Sequence, residues 1–221
     1  MKKGAGAGAR PHFFFGGPFP EVRAITRGTS AFERCAGARS EMTRVLSPQK
    51  GMLQEGRNIM RVGVGYDSHR FDPSRPLVLG GVEIPGSPGL SGHSDGDAVA
   101  HAIIDAILGA VSAGDVGLHF PPSEAEWKGA DSMELLRHSV GLLGRMGFHP
   151  HNVDVVVICE MPKIGPVSAA MRKRLSEVLG IPESSVSVKG KTNEGMGWIG
   201  AGEGLAVHAV ALVTDTGSAF P

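Results

Sequence analysis

The sequence predicts an α+β fold: a single-domain α/β sandwich, a mixed β-sheet with helices packed on one face. Segments of strand-like and helix-like apolar periodicity are interleaved along residues 60–221. With 41% of its 221 residues hydrophobic, the chain can bury one sizeable core. Neither an internal repeat nor a second composition shift divides that stretch.

The elements follow in order. In Arg61–Tyr66, Val62, Val64 and Tyr66 alternate with small residues, the pattern of a half-buried strand. Leu77-Val78-Leu79, Gly80-Gly81 and Val82-Glu83-Ile84 read as a β-hairpin with a two-residue glycine turn. Residues 85–92, rich in Gly, Pro and Ser, read as a loop. Ser94 or Asp95 can cap a helix running to about Val111, with Val99, Ile103, Ile107 and Val111 four residues apart. A second helix, 131–146, opens at Asp131-Ser132 with Glu134 three residues on, as in a capping box. Val153–Ile158 is a buried strand; Pro166 starts a third helix that stops at Gly180-Ile181-Pro182. Val186–Val188 and Leu205–Val213 are the last strands.

Residues 1–59 differ from the rest. They hold ten Lys and Arg against four Glu, leaving twelve basic and eighteen acidic residues in 60–221. They begin Lys2-Lys3-Gly4-Ala5-Gly6 and show no sustained period, so they read as a disordered extension. Either translation starts at Met60, or the segment is an organelle transit peptide; Phe13-Phe14-Phe15 is too short an apolar core for a secretory signal. The acidic balance of 60–221 argues against nucleic acid as a partner. No apolar run reaches the roughly 20 residues needed to cross a bilayer, so no membrane partner is expected. Two cysteines, Cys35 and Cys159, make no disulfide framework. A soluble, cytoplasmic protein is expected, or a plastid one if residues 1–59 are a transit peptide.

Asp67-Ser68-His69 lies directly behind the first strand. Residues two apart on a strand project to the same side, so this carboxylate and imidazole can converge. Alone, they also read as a turn Asp and a surface His. Their company is His93-Ser94-Asp95-Gly96-Asp97 and His101, the latter on the first helix with Asp97 and Asp105 at four-residue spacing. One hard oxygen and two imidazoles suit a divalent metal, and an Asp one turn from His101 can accept its second N–H; an exposed ladder of charges is the plainer alternative. His93-Ser94 precedes a helix start, which favours phosphate. Lys189-Gly190-Lys191-Thr192-Asn193-Glu194-Gly195 emerges at a strand end, where Lys191 and Thr192 can donate to phosphate and Glu194 can hold a hard cation. It lacks the Walker A spacing, and Gly63-Val64-Gly65 fails as a dinucleotide fingerprint because position 68 is Ser. Asp115 can accept from ribose hydroxyls or stabilise a turn, and the loop Met161-Pro162-Lys163 can offer amides to a base edge.

Taken together, Gly65–His69, Gly92–Asp97, His101, Gly114–Gly117, Pro162-Lys163, Glu194-Gly195 and Gly200–Gly204 resemble the 2-C-methyl-D-erythritol 2,4-cyclodiphosphate synthase family of the non-mevalonate isoprenoid pathway. The resemblance covers essentially all of residues 60–215 and none of 1–59. It implies a homotrimer with active sites between neighbouring subunits, and a cytidyl-diphosphate substrate cyclised with release of CMP. By position, Asp67, His69 and His101 match Zn²⁺ ligands, and Glu194 matches the residue that helps hold Mg²⁺ or Mn²⁺ on the substrate diphosphate. His93 and Thr192 match the catalytic positions that stabilise the transition state. Substrate contacts are implied for Asp67, Ser68, His69, His93, Ser94, Asp115, Val116, Gly117 and Phe120. They are also implied for Met161, Pro162, Lys163, Ile164, Lys191, Thr192, Asn193, Glu194 and Trp198. The sequence departs from the pattern at Ala201, where an arginine near a central isoprenoid-diphosphate cavity is common. It departs too at Trp198 for Phe, Lys191 for Thr and Pro122 for Asp. A two-metal phosphatase and a non-catalytic trimeric metal- or nucleotide-binding module are the alternative readings.

Overall fold

The computed structural model describes residues 59–124, 127 and 129–216. The extension expected over 1–59 lies outside them except for Ile59. Five strands form one sheet in the order β2-β1-β5-β3-β4: β1 (Met60–Leu79), β2 (Val82–Leu90), β3 (Phe148–Ile158), β4 (Val186–Lys191) and β5 (Gly204–Asp215). β3 and β4 are parallel and the other pairs antiparallel, so the sheet is mixed. Three longer helices, α1 (Ala98–Ala110), α3 (Ser132–Arg145) and α4 (Ser168–Leu179), and two single-turn helices, α2 (Val116–His119) and α5 (Gly197–Gly200), complete the fold.

The strand expected at 61–66 and the first arm of the hairpin are two ends of one 20-residue strand. Its first half pairs with β5, from Met60↔Thr214 to Arg70↔Gly204. Its second half pairs with β2 from Phe71↔Leu90 to Leu79↔Val82, with register shifts around Pro76. Residues 85–92, expected as a loop, are therefore strand through Leu90. β2 is an edge strand, where Pro85 and Pro88 need supply no ladder hydrogen on the open side. Gly89 packs so closely that a Cβ there would lie 2.3 Å from the Pro76 carbonyl oxygen. The Gly80-Gly81 turn is present, both residues at positive φ.

The cap of helix α1 lies two residues past Asp95 and three past Ser94, the two expected caps. Asp97 is the cap, its carboxylate accepting from the Val99 and Ala100 N–H groups, and Gly96 at φ +80° keeps the chain out of the helical path before it. Asp131 caps α3 as expected by accepting from Met133 N–H. Glu134 does not close a capping box; it pairs with Arg137 one turn along. After a 3₁₀ turn at Gly165–Val167, α4 ends on Gly180 in the left-handed conformation.

The helices cover one face of the sheet. Gly63 and Gly65 put α1 against β1: a Cβ would lie 2.0 Å from Ala106 O at Gly63 and 1.8 Å from Ala102 O at Gly65. Val155, Val157, Val207, Ala209 and Ala211 share that face and are fully buried with Ile103 and Ile107 of the helix. Val62, Val64 and Tyr66, whose alternation announced the strand, point the other way and are 63%, 67% and 49% exposed. The small residues face the core because the helix axis must come close; the large ones form a bare apolar face, joined by Val210.

Candidate functional site

The residue parity that turns Gly63 and Gly65 toward α1 also turns Asp67 and His69 to that side of β1. The glycines let α1 settle on the strand, and His101, in its first turn, comes to rest over Asp67. His101 Nδ1 lies 3.0 Å from Asp67 Oδ2, and His69 Nδ1 lies 3.1 Å from the same oxygen. One donor atom from each of the three residues falls within 4.8 Å of the other two. Asp67 Oδ1 accepts from the Ser68 N–H at 2.8 Å, which turns the carboxylate into the cluster.

Burial raises the Asp67 carboxyl, but the His101 hydrogen bond, the close His69 ring and the charges of both outweigh it and hold the group at about 2. Burial pulls the His101 imidazolium down, yet Asp67, with Asp97 and Asp95 behind it, shifts the group upward overall. His69 Nδ1 is buried with no properly directed hydrogen-bond partner. An orphaned imidazole nitrogen, a second imidazole and an ionised carboxylate oxygen converging on one point are the donors a borderline divalent cation prefers. The donor set therefore fits such an ion.

The loop 91–97 closes one side of this cluster. Arg75 donates to Gly92 O at 2.7 Å and to Ser94 O, tying the loop to β1. Ser94 is buried and its Oγ lies 3.1 Å from His101 Nε2. His93 is exposed, and its carbonyl accepts from Gly129 N–H.

Two expectations fail here. The helix start does not offer N–H groups to a phosphate, because Asp97 takes those of Val99 and Ala100. Nor does Asp97 stand beside the His101 ring: fully buried, it also accepts from Gly80 N–H at 2.9 Å and Gly81 N–H at 2.7 Å, pinning the hairpin turn to the helix. Burial pushes its carboxyl up to about 6 against the pull of those four donors. The second nitrogen of His101 instead meets hydroxyls, Ser94 Oγ and Ser132 Oγ at 3.0 Å. Ser132 read in sequence only as a cap neighbour, and no local signal places it 31 residues away against His101.

Asp105, one turn beyond His101, accepts from Val116 N–H at 2.8 Å and so joins α1 to the segment holding Asp115, Val116 and Gly117. Asp115 caps α2 by accepting from Leu118 N–H. Phe120, expected at a substrate, is buried with its ring edge-on to Trp127 and His138, where it packs the loop.

A second cluster lies at the end of β4. Lys191 and Thr192 line a cavity of about 130 Å³ with Cys159, Pro162, Lys163, Ile164, Gly165 and Gly190; none of Asp67, His69 or His101 lines it. Ile164 and Cys159 are buried, whereas Met161 is exposed. Thr192 Oγ1 donates to Glu194 Oε1 at 2.8 Å, and Glu194 sits at φ +51°. Glu160, unnoticed in the sequence, holds that turn by accepting from the Asn193 and Gly195 N–H groups. Asn193 turns its own amide onto Met196 O. Trp198 lines a cleft with Ser68, His69, Arg70 and Glu203; a Cβ on Gly200 would meet Gly195 C at 2.0 Å, so α5 needs glycine there.

The profile of the YgbB family matches residues 60–214. The 2-C-methyl-D-erythritol 2,4-cyclodiphosphate synthase of Symbiobacterium thermophilum is 55% identical over 154 residues, covering 70% of this chain and 98% of that protein. The structure of the bifunctional IspDF from Campylobacter jejuni matches at TM-score 0.70 and 38% identity, covering 72% of this chain and 43% of that one. Plasmodium falciparum IspF in complex with CDP matches at TM-score 0.62 and 37% identity, covering 72% of this chain and 99% of that one. The chain belongs to the YgbB family.

Proposed function

We propose that this member of the YgbB family is a 2-C-methyl-D-erythritol 2,4-cyclodiphosphate synthase, a phosphorus–oxygen lyase of isoprenoid biosynthesis. It converts 4-diphosphocytidyl-2-C-methyl-D-erythritol 2-phosphate to the 2,4-cyclodiphosphate and releases CMP. The observation that carries the reading is the Asp67–His69–His101 cluster, whose three donor atoms lie within 4.8 Å in a chain 55% identical to a named synthase.

Asp67, His69 and His101 would hold Zn²⁺, and Glu194 with the substrate diphosphate would hold Mg²⁺ or Mn²⁺. Bound there, such cations neutralise diphosphate charge and make the β-phosphorus more electrophilic. The nucleophile comes with the substrate. Its 2-phosphate, whose second pKa is about 6 by analogy with phosphorylated side chains, is an oxyanion at neutral pH and needs no general base from the protein. One of its oxygens forms a bond to the β-phosphorus as the bond from that phosphorus to the bridging oxygen breaks, and CMP leaves with the electron pair.

The protein's task is in-line placement and stabilisation of charge on the equatorial oxygens. His93 and Thr192 donate to those oxygens, with Ser94 and Lys191 nearby in sequence to steady the phosphates. The segment 115–117 takes the ribose. The loop 159–165, which lines the cavity with Cys159 and Ile164, takes the cytosine.

The assembly is a homotrimer with each active site shared between neighbours. Two features support this: the bare sheet face of Val62, Val64, Tyr66 and Val210, and the separation of the Asp67 cluster from the Lys191–Thr192 cavity within one chain. Residues 60–221 are the catalytic domain and 1–59 an extension to it. No helix among the described residues is long and apolar enough to cross a membrane; the compartment is cytoplasmic, or plastid if the extension is a transit peptide.

Incubation with the cytidyl substrate and Mg²⁺ tests the proposal. Cyclic diphosphate with equimolar CMP is expected. Inorganic phosphate would instead indicate a phosphatase, and unchanged substrate a binding module.

A further inference from the structure

His101 has two ring nitrogens and two very different neighbours. Nδ1 faces Asp67 Oδ2 at 3.0 Å. Nε2 faces Ser132 Oγ at 3.0 Å and Ser94 Oγ at 3.1 Å, in a pocket where both serines are buried. The Ser132 hydroxyl donates to Asp95 Oδ1, and a carboxylate can only accept. Asp95 is held for this role by the Asp97 and Ser132 N–H groups, each at 3.1 Å. With its only proton drawn to the Asp95 carboxylate in preference to the more distant Ser94 Oγ at 3.3 Å, Ser132 Oγ has nothing but lone pairs to offer the ring.

We infer that Ser132, oriented by Asp95, is a positioning residue that keeps a hydrogen of His101 on Nε2 and so leaves Nδ1 as the nitrogen that faces the Asp67 carboxylate and is open to a divalent cation. Two lone-pair-bearing atoms 3.0 Å apart repel unless a proton or a metal cation lies between them. The relay thus builds a place for a positive ion before one arrives, and it fixes both the tautomer and the ring plane of a ligand carried on α1. The three residues come from the loop before α1, from α1 itself and from the first turn of α3. The relay therefore also clamps α3 to the metal-bearing helix: Ser132 is 31 residues from His101 and 37 from Asp95.

The inference rests on the reading of Asp67, His69 and His101 as metal ligands. Zn²⁺ affinity measured by chelator competition on the full chain, without substrate, tests it independently of turnover. Removing an outer hydrogen-bond partner of a metal-bound histidine costs about 10–100-fold in affinity. S132A should show that loss, while S132T, which keeps the hydroxyl, should stay within about threefold of the parent protein. The Co²⁺-loaded S132A protein should show a shifted d–d spectrum, as expected of a misoriented imidazole. Parental affinity in S132A, or equal loss in S132A and S132T, would overturn the inference.

If S132A does not fold, two-bond ¹H–¹⁵N spectra of the parental Zn²⁺ protein decide the matter. Hydrogen on His101 Nε2 is expected, and hydrogen on Nδ1 would overturn the assignment. Failure of the parental chain to bind Zn²⁺ would instead remove the ligand reading itself, a distinct outcome.

Discussion

Two aspartates near the start of α1 show how differently one chemical group can be used. Asp67 meets two imidazoles, and Asp97 meets four backbone N–H groups. Burial opposes the charged form in both. The imidazoles overcome it and hold Asp67 at about 2, while neutral donors only soften it and Asp97 is pushed up to about 6. A carboxylate facing titratable or metal-binding partners is available for chemistry. One whose lone pairs are saturated by the backbone is a structural pin, even four residues from a candidate ligand. Spacing made Asp97 and His101 look like partners; their hydrogen bonds assign them to different tasks.

The sharpest way to break this contrast is to remove one member of each set. H101A should lose bound zinc and at least about 10³ in turnover, judged against the usual cost of deleting one transition-state stabiliser. The metal-free variant should still fold, its stability lowered by up to about 2 kcal/mol as Asp67 loses one of its two imidazole partners. Full activity in that variant would contradict the ligand assignment.

D97A should behave in the opposite sense. It leaves the Gly80 and Gly81 N–H groups without acceptors and uncaps α1, at about 1–3 kcal/mol for each buried orphan and about 1 for the cap. A loss near 4 kcal/mol by urea unfolding is the expected result; a loss below about 1 would mean that water or a neighbour replaces the carboxylate.

Acid titration sharpens the contrast, because the two groups act with opposite sign. Asp67 binds protons less readily folded than unfolded, so its contribution, about 2 kcal/mol, is present above the ordinary Asp value of 3.8 and lost as pH falls through about 2. Asp97 binds them more readily folded, so its contribution, about 3 kcal/mol, is full below 3.8 and lost as pH rises through about 6. Unfolding free energies of D97N and the parent, compared between pH 4 and 6, should show that falling limb only in the parent. The same limb in both would assign it to another group.

The smallest effect is expected at the second cluster. E194Q should raise the Mg²⁺ concentration for half-maximal activity about tenfold, consistent with weakening one oxygen contact to a hard cation, and leave zinc content unchanged. An unaltered Mg²⁺ titration would remove Glu194 from that role.

Local patterns made much of this legible. Period two placed Asp67 and His69 on one side of a strand; period 3.6 placed His101 on a helix; Asp131 and Gly180 marked helix ends where they occur. The same patterns misled where a distant element decided the outcome. Val62, Val64 and Tyr66 correctly announced a strand, but which face is buried depended on where α1 lands. The run 85–90 looked like a loop until the second half of β1 supplied its partner.

The amino-acid order by itself therefore determined most of the element types, the grouping of Asp67, His69 and His101, and the family of this chain, because each is written within a few residues or in a characteristic set of them. The tertiary structure alone decided that the glycines face inward, that Asp97 pins a turn, and that Ser132 meets His101. Those outcomes depend on which surfaces approach within hydrogen-bonding or van der Waals distance, and such short-range forces act on spatial neighbours that the sequence places tens of residues apart.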